Sequence, residues 1–403
     1  SEPAPATQSN DDSSAEQPTT TPETSKTSET SETVAATTDS KPRVTIVGGG
    51  FAGAKLAAQL GDQLAVTIVE KNDSLTFTLG APRAIVVPGF EKRIRLDYAL
   101  PAGQVVRGTV TQIESGKVTL SNGDVIESEY VVVATGGSGY RSPIGSTASD
   151  RADYYAGYAA PQGVIRDASR ILVVGGGPTG LEITGEIKEQ YPDKEVIIVE
   201  SKPEVLGNFK TLPEELIQNI RTQLTELKVE VILGTRVENV PDGGAVIATP
   251  EAEYSLTNGN TVKADAIVVA TGMTRSPSAA SQLLPAETVN ERGEVVVDDH
   301  FEVTGLTNVF SIGDAVQSSQ AKMAAVAGSH GEYLAKELVA RATSATNEPY
   351  TAGPDVLSVT LGSKWGTGLF NGNLMPSEMV QGFKGGDMGL GAISQGFGLQ
   401  QSE

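Results

Sequence analysis

One short phrase is written twice in this chain. Arg43-Val-Thr-Ile-Val-Gly48-Gly-Gly50-Phe51-Ala52-Gly53 leads through a helical stretch to Val66-Thr-Ile-Val-Glu70. Arg170-Ile-Leu-Val-Val-Gly175-Gly-Gly177-Pro178-Thr179-Gly180 leads in the same way to Val196-Ile-Ile-Val-Glu200. The copies begin 127 positions apart, and the acid follows the first glycine by 22 residues in one and 25 in the other. Strand, G-x-G-x-x-G, helix, strand and terminal acid at that spacing predict a βαβ unit that holds a dinucleotide. The first glycine permits the tight turn, the second lets backbone approach a pyrophosphate, and the third lets the helix pack closely on the sheet. The helix N-terminus then offers unpaired N–H groups and about half a unit of positive charge to the phosphates. Glu70 and Glu200 stand where ribose hydroxyls would donate to them. Either unit alone is open to a second reading, a glycine-rich turn that holds nothing. Two together predict electron traffic between two dinucleotides.

A further repeat extends the duplication. Tyr130-Val-Val-Val-Ala134-Thr135-Gly136 matches Ala266-Ile-Val-Val-Ala270-Thr-Gly272, each a buried strand ending in a small-residue turn. Before the first lie Val105–Ile113, Lys117–Leu120 and Val125–Ser128, which read as a small antiparallel hairpin layer. Before the second lie Val229–Leu233, Gly244–Thr249 and Glu253–Leu256. Asn308-Val-Phe-Ser-Ile-Gly313-Asp314-Ala is a strand that delivers an acid at its end, and a helix is predicted from about Ala321 to Ala342. The pattern predicts an α/β fold with two Rossmann-like dinucleotide-binding domains, the second inserted into the first, and a small C-terminal α+β domain. The expected boundaries are 41–165 with 291–345 for the first, 166–290 for the second and 346–403 for the third. The third is Gly-rich, with strand-like pieces at Val356–Leu361 and Gly366–Phe370.

Composition narrows the chemistry. No cysteine occurs in the 403 residues, which removes disulfides, thiolate metal sites, iron–sulfur clusters and any dithiol relay. Two histidines make a His-rich metal site improbable on composition, so no metal is expected. A net charge of −20 argues against nucleic-acid partners and against simple attraction to anionic lipid. No apolar run approaches the length of a membrane-spanning helix. Residues 1–40 hold 18 Ser or Thr and no aromatic, and such a segment cannot bury enough apolar surface to order itself. They read as a disordered acidic tail, neither a signal peptide nor a good transit peptide. The chain is expected in the cytoplasm or an organelle, peripheral to a membrane at most, with an N-terminus that has been processed.

With Ser311-Ile-Gly-Asp314-Ala315 added to the two fingerprints and the two Ala-Thr-Gly turns, the chain resembles the pyridine-nucleotide–flavin oxidoreductases of the two-dinucleotide class. Val47-Gly-Gly-Gly-Phe51-Ala-Gly53, Arg83, Gly180-Leu-Glu182, Glu189-Gln-Tyr-Pro-Asp-Lys-Glu195 and Lys322-Met-Ala324 narrow it. They are similar to the ferroptosis suppressor protein branch of apoptosis-inducing factor homologues, near the type II NADH dehydrogenases. The resemblance covers residues 43–345 well and 346–403 loosely.

It implies that the first fingerprint holds FAD and the second NAD(P)H. Gly48, Gly50 and Gly53 would receive the FAD pyrophosphate and Glu70 the adenosine ribose, with Phe51, Ala52 and Lys71 also in the cofactor site. Arg83 would neutralise a phosphate, or else be a surface arginine. Val110 would meet the adenine, and Thr135 and Gly136 would line the site. Gly313 and Asp314 would take the ribityl or pyrophosphate end, unless Asp314 is only a helix cap. Gly175, Gly177, Pro178, Thr179, Gly180 and Gly272 would cradle the nicotinamide dinucleotide. Glu182 would stand at its nicotinamide end, or be a solvated helix charge. Glu200 would favour NADH by repelling a 2′-phosphate, with Lys202 softening the preference toward NADPH.

Three residues are expected at the chemistry. Lys322 would stabilise the reduced flavin, unless it is structural. Glu182 would act at the nicotinamide. His330 would donate a proton to a quinone oxygen, or else pack in its helix without chemistry. His300 reads as a surface residue. Electrons cannot leave through a thiol, so a diffusible quinone-type acceptor is implied. Trp365, Leu369, Phe370, Leu374, Met375 and Met379 are candidates for an apolar lip or for ordinary core. The glycine content of this region and its shortage of basic residues weigh against family-style membrane contact. Two rival functions remain open: a redox-responsive flavoprotein that recruits a partner, and a reductase of a small electron carrier.

Overall fold

The computed structural model describes residues 41–401 apart from 101–102, 138, 146–147, 210, 273–278 and 355. The acidic tail expected over 1–40 lies outside the described residues. The described residues form one compact unit.

Two five-stranded sheets repeat one plan. In the first, Arg43–Val47 lies between Ala65–Glu70 and Tyr130–Val133, with Gly103–Arg107 and Val309–Ser311 outside them, all parallel. In the second, Arg170–Val174 lies between Glu195–Glu200 and Thr261–Val269, with Glu230–Leu233 outside, and these four are parallel. Val246–Ser255 closes that sheet as an antiparallel edge. Near-continuous runs of Val and Ile are what parallel strands covered on both faces require. The central strands accordingly bury Val44, Ile46, Ile171, Leu172 and Val173 completely. The second sheet's strands fall, in chain order, between Tyr130–Val133 and Val309–Ser311 of the first.

Two stretches differ from the sequence reading. The run Val105–Ile113 is split: its start joins the first parallel sheet as Gly103–Arg107, and its end opens a three-stranded antiparallel layer as Val110–Glu114. The break falls at Gly108, whose N–H donates to the Glu70 carbonyl and whose hydrogen faces Leu120 too closely for a side chain. In the second sheet, 244–249 and 253–256 merge into one strand, Val246–Ser255, with a register shift between Ala248 and Ala252. A bulge absorbs the interruption that the sequence pattern marked as a break.

Helices cover the sheets. The first fingerprint helix, Phe51–Leu60, is rich in Ala and Leu and stops at Gly61 in the left-handed region of φ. It packs against the closing helix Ala324–Ala342, three residues shorter at its start than the sequence suggested. Leu56, Leu60, Leu334 and Leu338 are fully buried in that contact, each worth about 1.5–3 kcal/mol of transfer free energy. Gly331 brings the two backbones together, since a Cβ there would lie 2.7 Å from the Ala52 carbonyl oxygen.

The C-terminal layer is an antiparallel sheet of Leu357–Leu361, Trp365–Phe370 and Asn373–Met375, followed by short helices. It rests on the second fingerprint helix, Pro178–Gln190, where a Cβ on Gly185 would fall 2.3 Å from the Leu361 Cα. The chain then returns to the first domain, where Leu399–Gln401 pairs with Arg95–Tyr98. That return was not read from the sequence. Among the described residues, no helix is long and apolar enough to cross a membrane.

Candidate functional site

The six fingerprint glycines divide into three structural pairs. Gly48 and Gly175 take φ of +101° and +111°, and a Cβ on either would lie 2.5 Å from the carbonyl oxygen of Ala134 or Ala270. Gly53 and Gly180 would place a Cβ 2.1 Å and 2.0 Å from the Gly48 and Gly175 carbonyl oxygens. Both pairs are needed to bring helix onto strand. Gly50 and Gly177 are different. Their φ values, −66° and −77°, suit any residue, and nothing lies within 4 Å of a Cβ built on either. Neither backbone strain nor packing explains glycine there. Open space in front of a helix N-terminus that no side chain caps does explain it, because a phosphate fits where a Cβ would intrude.

The terminal acids repeat the duplication atom by atom. Glu70 accepts from the Gly49 N–H at 2.7 Å through one oxygen and from the Asn72 N–H at 2.9 Å through the other. Glu200 accepts from the Gly176 N–H at 2.6 Å and from the Lys202 N–H at 2.7 Å. Each carboxylate is thereby fixed at the lip of its glycine loop with lone pairs to spare. Beside Glu70 lies a recess of about 410 Å³ lined by Lys71, Val106, Arg107, Thr109 and Asn122, next to Val110 at the head of its strand. Thr135, after the first Ala134, keeps a buried hydroxyl without a hydrogen-bond partner, and Gly136 and Gly272 turn the chain with positive φ. An orphaned hydroxyl, two glycine cradles with room in front of them and two anchored carboxylates fit a pair of dinucleotides.

At the mouth of the first loop, Gly313 presses its turn against Ala52 and presents Asp314. Burial raises the Asp314 carboxyl above its ordinary range, and Lys322 partly offsets this. Tyr140 faces the same carboxyl, and burial with that charge pushes its hydroxyl up. Lys322 itself donates to the Val316 carbonyl and pairs with Glu294 at 3.4 Å. Tyr140 and Lys322 thus each lie within electrostatic reach of Asp314.

His330 is 1% exposed. Its Nδ1 accepts the Gly313 N–H at 3.2 Å, so Nε2 carries the proton and faces the Gln320 amide oxygen at 3.3 Å. Burial, reinforced by Lys322, lowers its pKa to about 4. The ring is neutral at physiological pH, packed on Phe301, and holds the Gly313 turn. His300 is half-buried and bound to Glu337 and Tyr333.

The second fingerprint helix carries three acids along one face, Glu182, Glu186 and Glu189, at the i, i+4, i+7 spacing of a helix stripe. Glu182 is buried against Lys384, which also donates to the Ser358 carbonyl at 3.0 Å. Glu186 takes a two-pronged ion pair from Arg83, with both bonds at 2.9 Å, and burial raises its carboxyl. Two of the remaining three Arg83 donors go to the Gly385 and Gly386 carbonyls, each at 2.8 Å. Glu189 accepts from the Ser363 N–H and hydroxyl. Sequence reasoning found Glu182 and Arg83 but not these partners. Of the apolar lip candidates, Leu369 and Met375 are buried, Trp365 and Leu374 are half-buried against the core, and Phe370 and Met379 are 54% and 55% exposed.

Comparison with known proteins decides the family. A family profile described as pyridine nucleotide-disulphide oxidoreductase matches residues 42–331. The chain belongs to that family. It is 30% identical over 353 residues to apoptosis-inducing factor homolog B of Dictyostelium discoideum, covering 82% of this chain and 89% of that one. It is 28% identical over 352 residues to human ferroptosis suppressor protein 1, covering 86% and 93%. A solved NAD-dependent persulfide reductase from A. fulgidus shares the fold at a TM-score of 0.61 and 20% identity, over 81% of this chain and 63% of that chain. Family membership carries FAD and a nicotinamide nucleotide, and with them NAD(P)H-dependent flavoprotein oxidoreductase chemistry. The dithiol that gives the family its name has no counterpart in this cysteine-free sequence.

Two outcomes follow from the geometry. Gly50→Ala and Gly177→Ala should still fold, at a cost of no more than about 1 kcal/mol from the weaker N-cap, since a Cβ at either position meets only open space. Each should weaken binding of its own nucleotide by at least about tenfold, an effect of about 1.4 kcal/mol, as read by separate FAD and NADH titrations. For His330 the folded pKa lies below the unfolded value near 6.5, so the unfolded chain binds the proton better. Its neutral form supports the fold above that value, and the support is lost as pH falls from 6.5 toward 4, by roughly 3 kcal/mol in all. Denaturant unfolding across that window should show a shallower pH slope in His330→Asn than in the parent.

Proposed function

We propose that this chain takes hydride from NADH onto FAD and passes the electrons to a quinone-type acceptor. The observation that carries the two-nucleotide reading is the pair Gly50 and Gly177, glycines with no structural need to be glycine. When bound, the flavin supplies hydride acceptance from the nicotinamide and onward electron transfer. The protein's own residues supply position and charge.

The N–H groups at the start of the helices Phe51–Leu60 and Pro178–Gln190 would bind the two pyrophosphates. Glu70 and Glu200 are already oriented by backbone N–H groups, so ribose hydroxyls would meet acceptors that need not move. Glu200 beside an open loop disfavours a 2′-phosphate, which supports NADH over NADPH. Asp314, with Tyr140 and the Thr135 hydroxyl, would take the ribityl end, and Lys322 would set the local charge. The Glu182–Lys384 pair lies one turn into the second fingerprint helix, and it would wall the nicotinamide end with a charge-neutral, water-excluding contact.

We assign Arg83 to joining the layers rather than to a phosphate, because Glu186 and two carbonyls occupy it. We assign His330 to holding the Gly313 turn, and the acceptor's protons to solvent. The quinone rests on the family resemblance and on the closed thiol route. Phe370 and Met379 offer apolar surface in the same C-terminal layer for a peripheral contact.

Anaerobic titration of FAD-loaded protein with NADH and NADPH, then rapid mixing with a short-chain ubiquinone, tests this. Bleaching of the flavin band by NADH and fast recovery on quinone is the expected result. A reduced complex that quinone cannot discharge would instead favour the partner-recruiting flavoprotein. Glu200→Ala should raise the NADPH-to-NADH ratio of kcat/KM by about tenfold, since roughly 1–3 kcal/mol of selectivity rides on one such contact.

A further inference from the structure

The two fingerprint loops are near copies, yet the same atom is secured in two ways. The carbonyl of Gly176, the middle glycine of the second loop, accepts the Leu206 backbone N–H at 2.9 Å, a bond made within its own domain. The carbonyl of Gly49, its counterpart, accepts the Tyr98 hydroxyl at 2.8 Å. The fit is tight enough that a Cβ on Gly49 would lie 2.0 Å from that hydroxyl oxygen. Burial and the nearby Glu70 raise the Tyr98 hydroxyl far above its ordinary range, so it remains a donor.

Tyr98 ends the strand Arg95–Tyr98, and what pairs with it there is Leu399 of the C-terminal strand. The Ala99 N–H donates to the Gly398 carbonyl at 2.7 Å, and the Lys55 ammonium of the first fingerprint helix donates to the Gly396 carbonyl at 3.2 Å. Between them, Phe397 sets its ring edge-on to Phe51 with centroids 5.6 Å apart and lies under Lys55. Phe51 is the first residue of the fingerprint helix, where the second copy has Pro178. Gly328 in the closing helix leaves room for the Phe397 ring, and Gly398, at φ +63°, turns the chain against Ala58. Residues 396–401 thus reach the first loop by two routes, directly through Phe397 on Phe51 and indirectly through Leu399, which pairs with the Tyr98 that holds the Gly49 carbonyl.

We propose that residues 396–401 form a clasp on the first fingerprint, Phe397 acting on Phe51 and the C-terminal strand aligning the Tyr98 hydroxyl on Gly49, so that retention of FAD depends on the C-terminal strand while binding of the nicotinamide nucleotide does not. Tyr98 and Phe397 are positioning residues: they act through the loop rather than on the reacting atoms. The clasp deepens the proposed function and rests on its placing FAD at the first loop. The second loop, which lacks the clasp, is an internal control in the same molecule.

The test uses the full chain as Tyr98→Phe and Phe397→Ala. FAD binding to apoprotein is read by flavin fluorescence, NADH binding by its own fluorescence, and amide hydrogen exchange is followed over 49–53 and 176–180 without nucleotide. Tyr98→Phe should weaken FAD binding roughly three- to tenfold, the worth of one neutral hydrogen bond. Phe397→Ala should weaken it by about tenfold or more. NADH affinity should change less than about twofold, within the range of an unengaged substitution. Exchange should quicken over 49–53 and stay unchanged over 176–180. Unchanged FAD affinity and exchange in Tyr98→Phe would overturn the clasp, and so would parallel loss of both affinities. A parent protein that takes up no FAD would instead overturn the proposed function, and the exchange comparison would still decide whether the clasp exists.

Discussion

Everything in this molecule hangs on a backbone contact made twice, the near collision of Gly53 with the Gly48 carbonyl and of Gly180 with the Gly175 carbonyl. It sets a helix end directly over the end of a central strand. The first N–H groups of that helix then have nowhere to turn but the loop in front of them. From this one constraint follow the open cradles at Gly50 and Gly177 and the anchoring of Glu70 and Glu200 beside them. The rest of the chain supplies the two sheets that carry these contacts and the helices that cover them.

The wall is built on the acid face of the second fingerprint helix. Burying Glu182 and Glu186 would be costly if they stood alone, and each is matched by one cation, Lys384 or Arg83. Those cations come from the C-terminal layer and from the segment after the first βαβ unit. The helix that would carry the nicotinamide nucleotide therefore also fixes how three layers meet. A buried pair of this kind adds little net stability over apolar packing, but losing either partner would leave the other as an unmatched buried charge.

The sequence made the duplicated units legible because every residue that defines them is a near neighbour. Strand, glycines, helix and acid fall within about thirty positions, and their spacing is dictated by the geometry of one βαβ unit. The partners were not legible. Lys384 lies 202 positions from Glu182, and Arg83 lies 103 from Glu186, so their meeting is a property of packing and not of pattern. Tyr98 and Phe397 were invisible for the same reason, as nothing local marks a hydroxyl that will reach a carbonyl 49 residues back. His330 was visible as a residue but ambiguous in role. Only its neighbours, the Gly313 N–H and Gln320, show which nitrogen holds the proton. The run at 105–113 was misjudged where one glycine hands the chain from a parallel sheet to an antiparallel one.

The likeness of the two cradles has a cost in discrimination. FAD and the nicotinamide nucleotides share an adenosine diphosphate half, and a loop, a helix end and an acid are the parts that meet that half. Two cradles built on the same glycine pattern and the same anchored acid cannot sort their occupants by that half alone. Sorting would have to come from what adjoins each mould, on this reading Asp314 with Tyr140 and Lys322 for the first and the Glu182–Lys384 pair for the second. With two separate sets of neighbours around one repeated motif, the residence time of each occupant could be tuned without touching the other.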